Sequence, residues 1–471
     1  MSRPWWTLVG ACSGLFILML DSTVVALALP SIRHDVDATS AGLQWVMNGY
    51  LLIITAFVVT GGRLGDMFGR KRLFLIGMAL FALGSVVSAT ADDQLTLIFG
   101  RLLQGLGAAP MLPLSLAIVC HAFPAEKQAR ALGIWAAISA VALGIGPVVG
   151  GALVDLDWRL IFWINLPIAL VGIAIMWWAA SESTDPGSGK RVDFAGLVAL
   201  ALGLTAVVLA LVQAKEWTGD VIAALALAGL VSLYLFWRIE HRSAEPIVDF
   251  SLFRNGPYFG ASAAAFALVG AYWSVMFFQP QYLQDVRGHT AVISGLMIMP
   301  VTVPMIFISP FSGRLIARFG ARRLMTLGMV LGVLGLLALT QIDATSSYLL
   351  LLAGYLPFGV ALGLVYAPMS TAAMAAMPAQ KVGIASGVLA MDRVMAGTIA
   401  LAVTGAVFHA LLGDDGSFAD SVAGSTWVLV VLCAVGAALT WAFVRDPDPT
   451  QAGEPPSQDL HHHQHHRRFH L

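Results

Sequence analysis

Four ionisable side chains, Asp21, Arg101, Asp392 and Arg393, stand inside long apolar runs, where a charge is costly. On insertion scales such a residue at the centre of a hydrocarbon layer costs about 2.5–3.5 kcal/mol, so it is by default paired or functional. The chemistry open to these groups is proton transfer. Shielding from water favours the neutral form of a carboxyl group, and a nearby cation favours the charged form. An acid that meets water on alternate sides of a membrane, beside a cation whose distance changes, can load a proton on one side and release it on the other. Asp21 and Arg101 suit this pairing by depth. At 1.5 Å rise per residue, Asp21 lies about 13 Å inward from Pro30 and Arg101 about 12 Å inward from Asp93, each measured from the same side. The plainer alternative is a static ion pair that only binds two helices. Asp392 and Arg393 are neighbours pointing about 100° apart on a helix, so they cannot both face one partner squarely. Asp392 is a candidate for a second proton or cation site, with partnership to a nearby basic group as the structural alternative.

No metal centre or covalent chemistry is indicated. Cys12, Cys120 and Cys433 are far apart and lack metal or disulfide spacing, so they read as packing residues. The tail 446–471 ends HHHQHHRRFHL, but nothing beside it fixes ligand geometry, and its Pro- and Gln-rich composition predicts disorder. The phosphate-loop pattern GxxxxGK[ST] is absent, so any work the chain performs must draw on an ion gradient rather than nucleotide hydrolysis, and no cofactor is expected.

The elements that must hold these residues follow from composition. Of the 471 residues, 58% are hydrophobic and 11% charged, and the mean hydropathy is +0.81. Soluble cores cannot hide that much apolar surface, whereas a lipid bilayer needs about 20 apolar residues per helix. The fold class is therefore all-α, a polytopic membrane protein. A net charge of -1 gives no reason to expect a nucleic-acid partner. The first apolar run, Trp5 to Leu29, is longer than a secretory-signal core, contains Asp21 and follows only Arg3, so it is expected to stay attached as the first helix.

Breaks at Gly, Pro and charge clusters predict 14 transmembrane helices in a six-plus-two-plus-six plan. The expected parts are an N-terminal six-helix bundle over 1–180, a linker and inserted helix pair over 181–257, a C-terminal six-helix bundle over 258–445, and the tail. Charge placement supports the plan. With the N-terminus cytoplasmic, four of the 26 Lys and Arg residues (Arg33, Arg159, Lys215, Arg287) fall in outer loops and most of the rest fall in inner ones. Both termini are then cytoplasmic.

The segment GRLGDMFGRKR from Gly62 returns as GRLIARFGARR from Gly313, each copy joining the second helix of a half to its third. A duplicated membrane domain explains this offset, which is too long for a solenoid repeat. In the first copy, glycines permit a tight turn, Asp66 can face the positive end of a helix dipole, and Arg70 can answer that acid. In the second copy Ala317 replaces the acid.

The first copy resembles the loop signature of the major facilitator superfamily through Gly62, Asp66, Gly69, Arg70 and Lys71. Helix 1 ends LDSTVVALALP, which resembles the signature of the fourteen-helix drug:proton antiporters in that superfamily, with Ala26 where the group usually has Asn. RLLQGLGAA from Arg101 is similar to a further signature through Arg101, Gln104, Gly105 and Gly107. GIGPVVGG from Gly144 resembles a pattern associated with antiporters, carried by Gly146, Pro147, Gly150 and Gly151. Its glycines suit close helix packing and its proline a kink. WRLIFWINLP from Trp158 is also typical of the group and reads as a packing and interface feature. YLQDVRGHTAVISGLMIMP from Tyr282 resembles the group's connection between the first two helices of the second half, and Arg393 stands where the family often has Arg.

The resemblance implies the major facilitator fold, functional as a monomer, and alternating access. It implies a proton-coupled efflux antiporter in the bacterial cytoplasmic (inner) membrane, exporting lipophilic or cationic drugs and toxic compounds. Protons, the lipid bilayer and a small-molecule substrate are its implied partners. Asp66 and its neighbours would form a gating latch against the thirteenth helix when the cytoplasmic side is closed. Tyr50, Trp273 and Phe277, with Gln104, are the cavity candidates, since aromatic faces attract lipophilic cations; the plainer role for such aromatics is packing. The alternatives are an exporter dedicated to one metabolite or self-made antibiotic, and a non-transporting sensor, which the intramembrane charges disfavour.

Overall fold

A computed structural model of the chain describes residues 2–184, 193–243, 246–377, 382–413 and 416–445. Residues 185–192 of the expected linker, and the expected disordered tail 446–471, lie outside the described residues.

Among the described residues 14 helices are long and apolar enough to cross a membrane. They are α1 (Arg3–Asp35), α2 (Ser40–Phe68), α3 (Arg70–Ala89), α4 (Gln94–Ala122), α5 (Glu126–Leu156), α6 (Leu160–Ala179), α7 (Phe194–Val212), α8 (Gly219–Glu240), α9 (Gly256–Val286), α10 (Ala291–Ile308), α11 (Ala321–Leu339), α12 (Tyr348–Ala375), α13 (Ala385–Leu412) and α14 (Phe418–Phe443). α1 exceeds the apolar run Trp5 to Leu29, because its polar end remains helical beyond the apolar stretch. α1 passes through Pro30, near its end. The GRL segment is not a loop of its full length: α2 runs through it to Phe68, and the break is the single residue Gly69 at φ +120°. In the second copy a short helix, Ser312–Phe319, ends at Gly320 with φ +81°. The two glycines hold equivalent repeat positions, and both lie in the region that disfavours a side chain.

The duplication is visible in the packing. In each half the third helix packs on the fourth, the first on the fifth, the second on the fourth and the first on the sixth. Between halves the pairing is reciprocal: α2 packs on α13 and α5 on α10, the second helix of one half against the fifth of the other. The inserted helices α7 and α8 pack on each other, and α7 also lies against α2 and α13, one from each half.

The halves are joined at the far end, opposite the start of α1. There Arg33 pairs with Asp285 at 3.2 Å and donates to Gln281 at 3.0 Å. Gln284 donates to the Leu27 carbonyl at 2.9 Å, and Gln44 meets His409 at 2.8 Å. Asp155 on α5 accepts from the backbone amides of Ala291 and Val292 at 2.9 and 3.3 Å, so a carboxylate from one half caps a helix of the other. A Cβ at Gly295 would collide with the Pro147 carbonyl, and one at Gly151 would meet Ala291 and Val292. At the near end, a Cβ on Gly133, Gly313 or Gly387 would meet open space. Among the described residues, these polar and close-packed contacts join the halves at the far end.

Gly295→Val should wedge α10 from α5. In a background lacking the native cysteines and carrying Ser294→Cys, a buried position, an impermeant maleimide should label the purified protein several-fold faster once Gly295→Val is added. Equal rates would show that the far end closes around the added methyl groups.

Candidate functional site

α1 carries Asp21 into the interior of the first half, where α4 carries Arg101 and Gln104, α3 Ser85, α6 Asn165 and α2 Tyr50. Asp21, Gln104, Ser85 and Asn165 are 0% exposed, Arg101 1% and Tyr50 3%. Arg101 Nη1 lies 2.6 Å from Asp21 Oδ2 and donates to Gln104 Oε1 at 2.7 Å. Gln104 Nε2 donates to Asp21 Oδ1 at 3.2 Å and to Ser85 Oγ at 2.8 Å. Asn165 Nδ2 donates to the same two atoms, each at 3.2 Å. The guanidinium also donates from Nε to the Val46 carbonyl at 3.1 Å and lies 4.3 Å from the Tyr50 ring centroid, with Phe162 at 6.0 Å. Five helices thus supply one desolvated network in which each charge has an opposite charge and further hydrogen bonds, the condition under which a buried pair persists.

Spacing along the two helices placed Asp21 and Arg101 at one depth, and the structure brings them into contact. Gln104 and Tyr50, named above as cavity candidates, belong to this network. Ser85 and Asn165 were not singled out. Asn165 falls in WRLIFWINLP, read as packing; its signal was an amide in an otherwise apolar helix, whereas one serine among many gives none. The start of that segment does hold the far end together: Trp158 donates to Asp35 at 2.9 Å, and Arg159 pairs with Asp35 and, at 3.4 Å, with Asp92.

At the near end, Asp66 pairs with Arg70 at 2.6 Å across the Gly69 break. The amides at the start of α3 are met by Glu182 rather than by Asp66: Lys71 N and Arg72 N donate to its carboxylate at 2.9 and 3.2 Å. Lys71 Nζ in turn donates to the Trp177 and Ala180 carbonyls at 2.7 and 2.8 Å, at the end of α6. A carboxylate on a helix start and an ammonium on a helix end both oppose the local dipole. Gly62 approaches Pro113 of α4.

On α5, Gly146 and Gly150 abut Thr23 and Val24 of α1, while Pro147 and Gly151 face α10 of the other half. The stripe is the surface on which α5 contacts both bundles. Asp392 is apart from the Asp21 network, on α13 in the second half. It is 7% exposed, and its Oδ2 has no hydrogen-bond partner. The guanidinium of Arg393 lies 5.4 Å from the Tyr366 ring centroid. Phe277 is buried, edge-on to Phe278, and Trp273 is half-buried against Gly397 of α13. Among the described residues no cluster of metal-ligating side chains occurs.

A sequence model of the Major Facilitator Superfamily matches residues 11–401. The multidrug resistance protein Stp of Mycobacterium tuberculosis is 37% identical over 411 residues, covering 86% of this chain and 76% of that protein. The tetracenomycin C resistance and export protein of Streptomyces glaucescens is 31% identical over 415 residues, covering 88% and 77%. Among solved structures, a D-xylose-proton symporter superposes with a TM-score of 0.66 at 15% identity, covering 93% of this chain and 97% of that one, a likeness of fold alone.

Arg101→Ala leaves Asp21 without its opposite charge and should lower stability by about 3–5 kcal/mol, whereas the double change Asp21→Asn with Arg101→Gln should cost less than Arg101→Ala alone. Thermal unfolding of the purified variants in detergent measures both.

Proposed function

The chain belongs to the Major Facilitator Superfamily, and on that premise we propose that it exports lipophilic or cationic drugs and toxic compounds across the bacterial cytoplasmic membrane in exchange for protons. The observation that carries this reading is the desolvated Asp21–Arg101 pair inside the first bundle, a carboxyl group that must be paired or neutral to stay there. The resistance proteins it resembles are consistent with such cargo. Arg63, Arg70, Lys71, Arg72, Arg322 and Arg323 gather at the near end, which the positive-inside rule assigns to the cytoplasm. Both termini then face the cytoplasm, and in this reading the state joined at the far end is the one that admits substrate from the cytoplasm.

The cycle follows from that orientation. With the near end open, substrate enters between the bundles from the cytoplasm or inner leaflet, and Asp21 in ionic contact with Arg101 is the form that has released its proton. Reorientation opens the far end, the substrate leaves, and Asp21 reloads from outside. Its neutralisation weakens the hold on Arg101 and links protonation to the relative placement of α1 and α4. One charge moving down 100 mV supplies about 2.3 kcal/mol before the pH term is added. Asp392, buried and half-satisfied, is the second proton site in this scheme. Asp66 and Arg70 with Gly62 and Gly69 form the gate that re-forms contacts with the second bundle when the near end closes. Gly146, Pro147, Gly150 and Gly151 form the surface on which α5 re-packs. Trp273 faces the substrate path, and Tyr50, Gln104 and Phe277, buried in this state, reach it only after re-packing. The protein works as a monomer in this scheme. Similarity to an antibiotic export protein of a Streptomyces favours one further reading, an exporter dedicated to a single compound.

In vesicles with an imposed pH gradient, the wild type should accumulate a lipophilic cationic dye and Asp21→Asn should lose proton-driven accumulation while inserting normally. Retained accumulation in that variant rejects Asp21 as the coupling group, and uptake confined to one compound of a toxic panel favours the dedicated exporter. Asp66→Asn should lower the transport rate about tenfold or more with unchanged membrane content, the size expected when a paired charge of about 1.5–3 kcal/mol is lost from one state of the cycle.

A further inference from the structure

The groups that face Asp21 in this state all donate. Arg101 presents an N–H to Oδ2, while Gln104 and Asn165 each present an amide N–H to Oδ1. The charged and titratable groups turned toward it from the surrounding helices are Arg101 of α4 and Tyr50 of α2; α6 contributes the neutral Asn165, and Ser85 of α3 stands behind, accepting from both amides. Such a shell suits a carboxylate, which only accepts. A protonated Asp21 needs the reverse, an acceptor for its new O–H, and the two amides differ in what they can offer. The carbonyl oxygen of Gln104 is already taken by Arg101 at 2.7 Å. The carbonyl oxygen of Asn165, Oδ1, is buried and has no partner.

We infer that Asn165 is the positioning residue that admits the proton onto Asp21, its side-chain amide turning half a revolution to accept from the protonated carboxyl group. The inference rests on the reading of Asp21 as the proton-coupling group. In the ionised state Asn165 Nδ2 holds Asp21 Oδ1 and Ser85 Oγ, both at 3.2 Å, longer than charge-assisted hydrogen bonds normally are. The turn exchanges these two contacts for the one from the protonated carboxyl group. A proton arriving on Oδ1 makes an O–H, the amide turns about its Cβ–Cγ bond, and Asn165 Oδ1 accepts in place of Nδ2. Ser85 Oγ, whose proton lies on the Phe81 carbonyl at 2.9 Å in the ionised state, turns that proton to the incoming Asn165 Oδ1. Arg101 retains Gln104, the Val46 carbonyl and the Tyr50 ring after its anion is neutralised. The proton returns to water by the reverse motion, and the heavy-atom network is unchanged at the end of the cycle.

The test is a pH titration of the purified full chain followed by infrared difference spectroscopy of the protonated carboxyl band. Asp21→Asn identifies the band: if no band disappears, the reading of Asp21 fails, and this inference with it. With the band identified, Asn165→Leu, close in size and lacking any acceptor, should raise its stretching frequency and lower the proton affinity of Asp21 roughly tenfold, the worth of about one hydrogen bond. Asn165→Ser keeps an acceptor and should restore the wild-type midpoint. A midpoint in Asn165→Leu that is unchanged or moved to higher pH overturns the inference while leaving the Asp21 reading intact. Should Asn165→Leu not purify as folded protein, Asn165→Ala carries the same expectation.

Discussion

The interior of the first bundle is organised by the cost of keeping a carboxylate and a guanidinium away from water. Each ion must be compensated where it lies, and one opposite charge does not satisfy the hydrogen-bonding capacity of either group. α1 brings the acid and α4 the base together with Gln104; α3 and α6 add Ser85 and Asn165 around the acid, and α2 places a carbonyl and an aromatic ring around the base. The close packing of α3 on α4 and of α1 on α6 fits this requirement. Among the described residues the second bundle repeats the helix pairings without repeating the ion pair: its buried acid, Asp392, has an oxygen with no partner. Duplication has kept the architecture and released the chemistry.

A second constraint operates where the bundles meet. Backbones approach closely at Gly151 and Gly295, so the far-end closure is made of main chain against main chain as much as side chain against side chain. Asp155 reinforces it by capping α10 from the opposite bundle. These contacts are short-ranged and lost together when the helices separate, which suits a closure that is either made or absent.

Depth along a helix is legible in the chain because a fixed rise turns spacing into distance; this is why the sequence alone pairs Asp21 with Arg101. The duplication could be read from the shared Gly-Arg-Leu and Phe-Gly. Rotation about a helix axis could not. Whether Asn165 faces lipid, a cavity or Asp21 depends on how α6 is turned against α1 and α3, and in helices apolar on every side the pattern carries almost no phase. The placement of Tyr50 and Gln104 beside Arg101 is hidden in the sequence for the same reason. Glu182 was hidden differently: it opens a polar linker, where an acid is unremarkable, and its work at the start of α3 depends on a contact across more than one hundred residues of chain. The length of α2 was underestimated because charged residues at a membrane surface can stay helical, leaving Gly69 alone to break the chain.

The inserted pair gives the molecule a property that neither bundle has alone. Because α7 lies across the seam between α2 and α13, while the equivalent seam between α5 and α10 carries no such cover among the described residues, the approximate twofold relation of the bundles is broken in the plane of the bilayer. A compound dissolved in the leaflet therefore meets two unlike flanks, one shuttered by an extra hydrophobic wall and one bare. The protein has a front and a back.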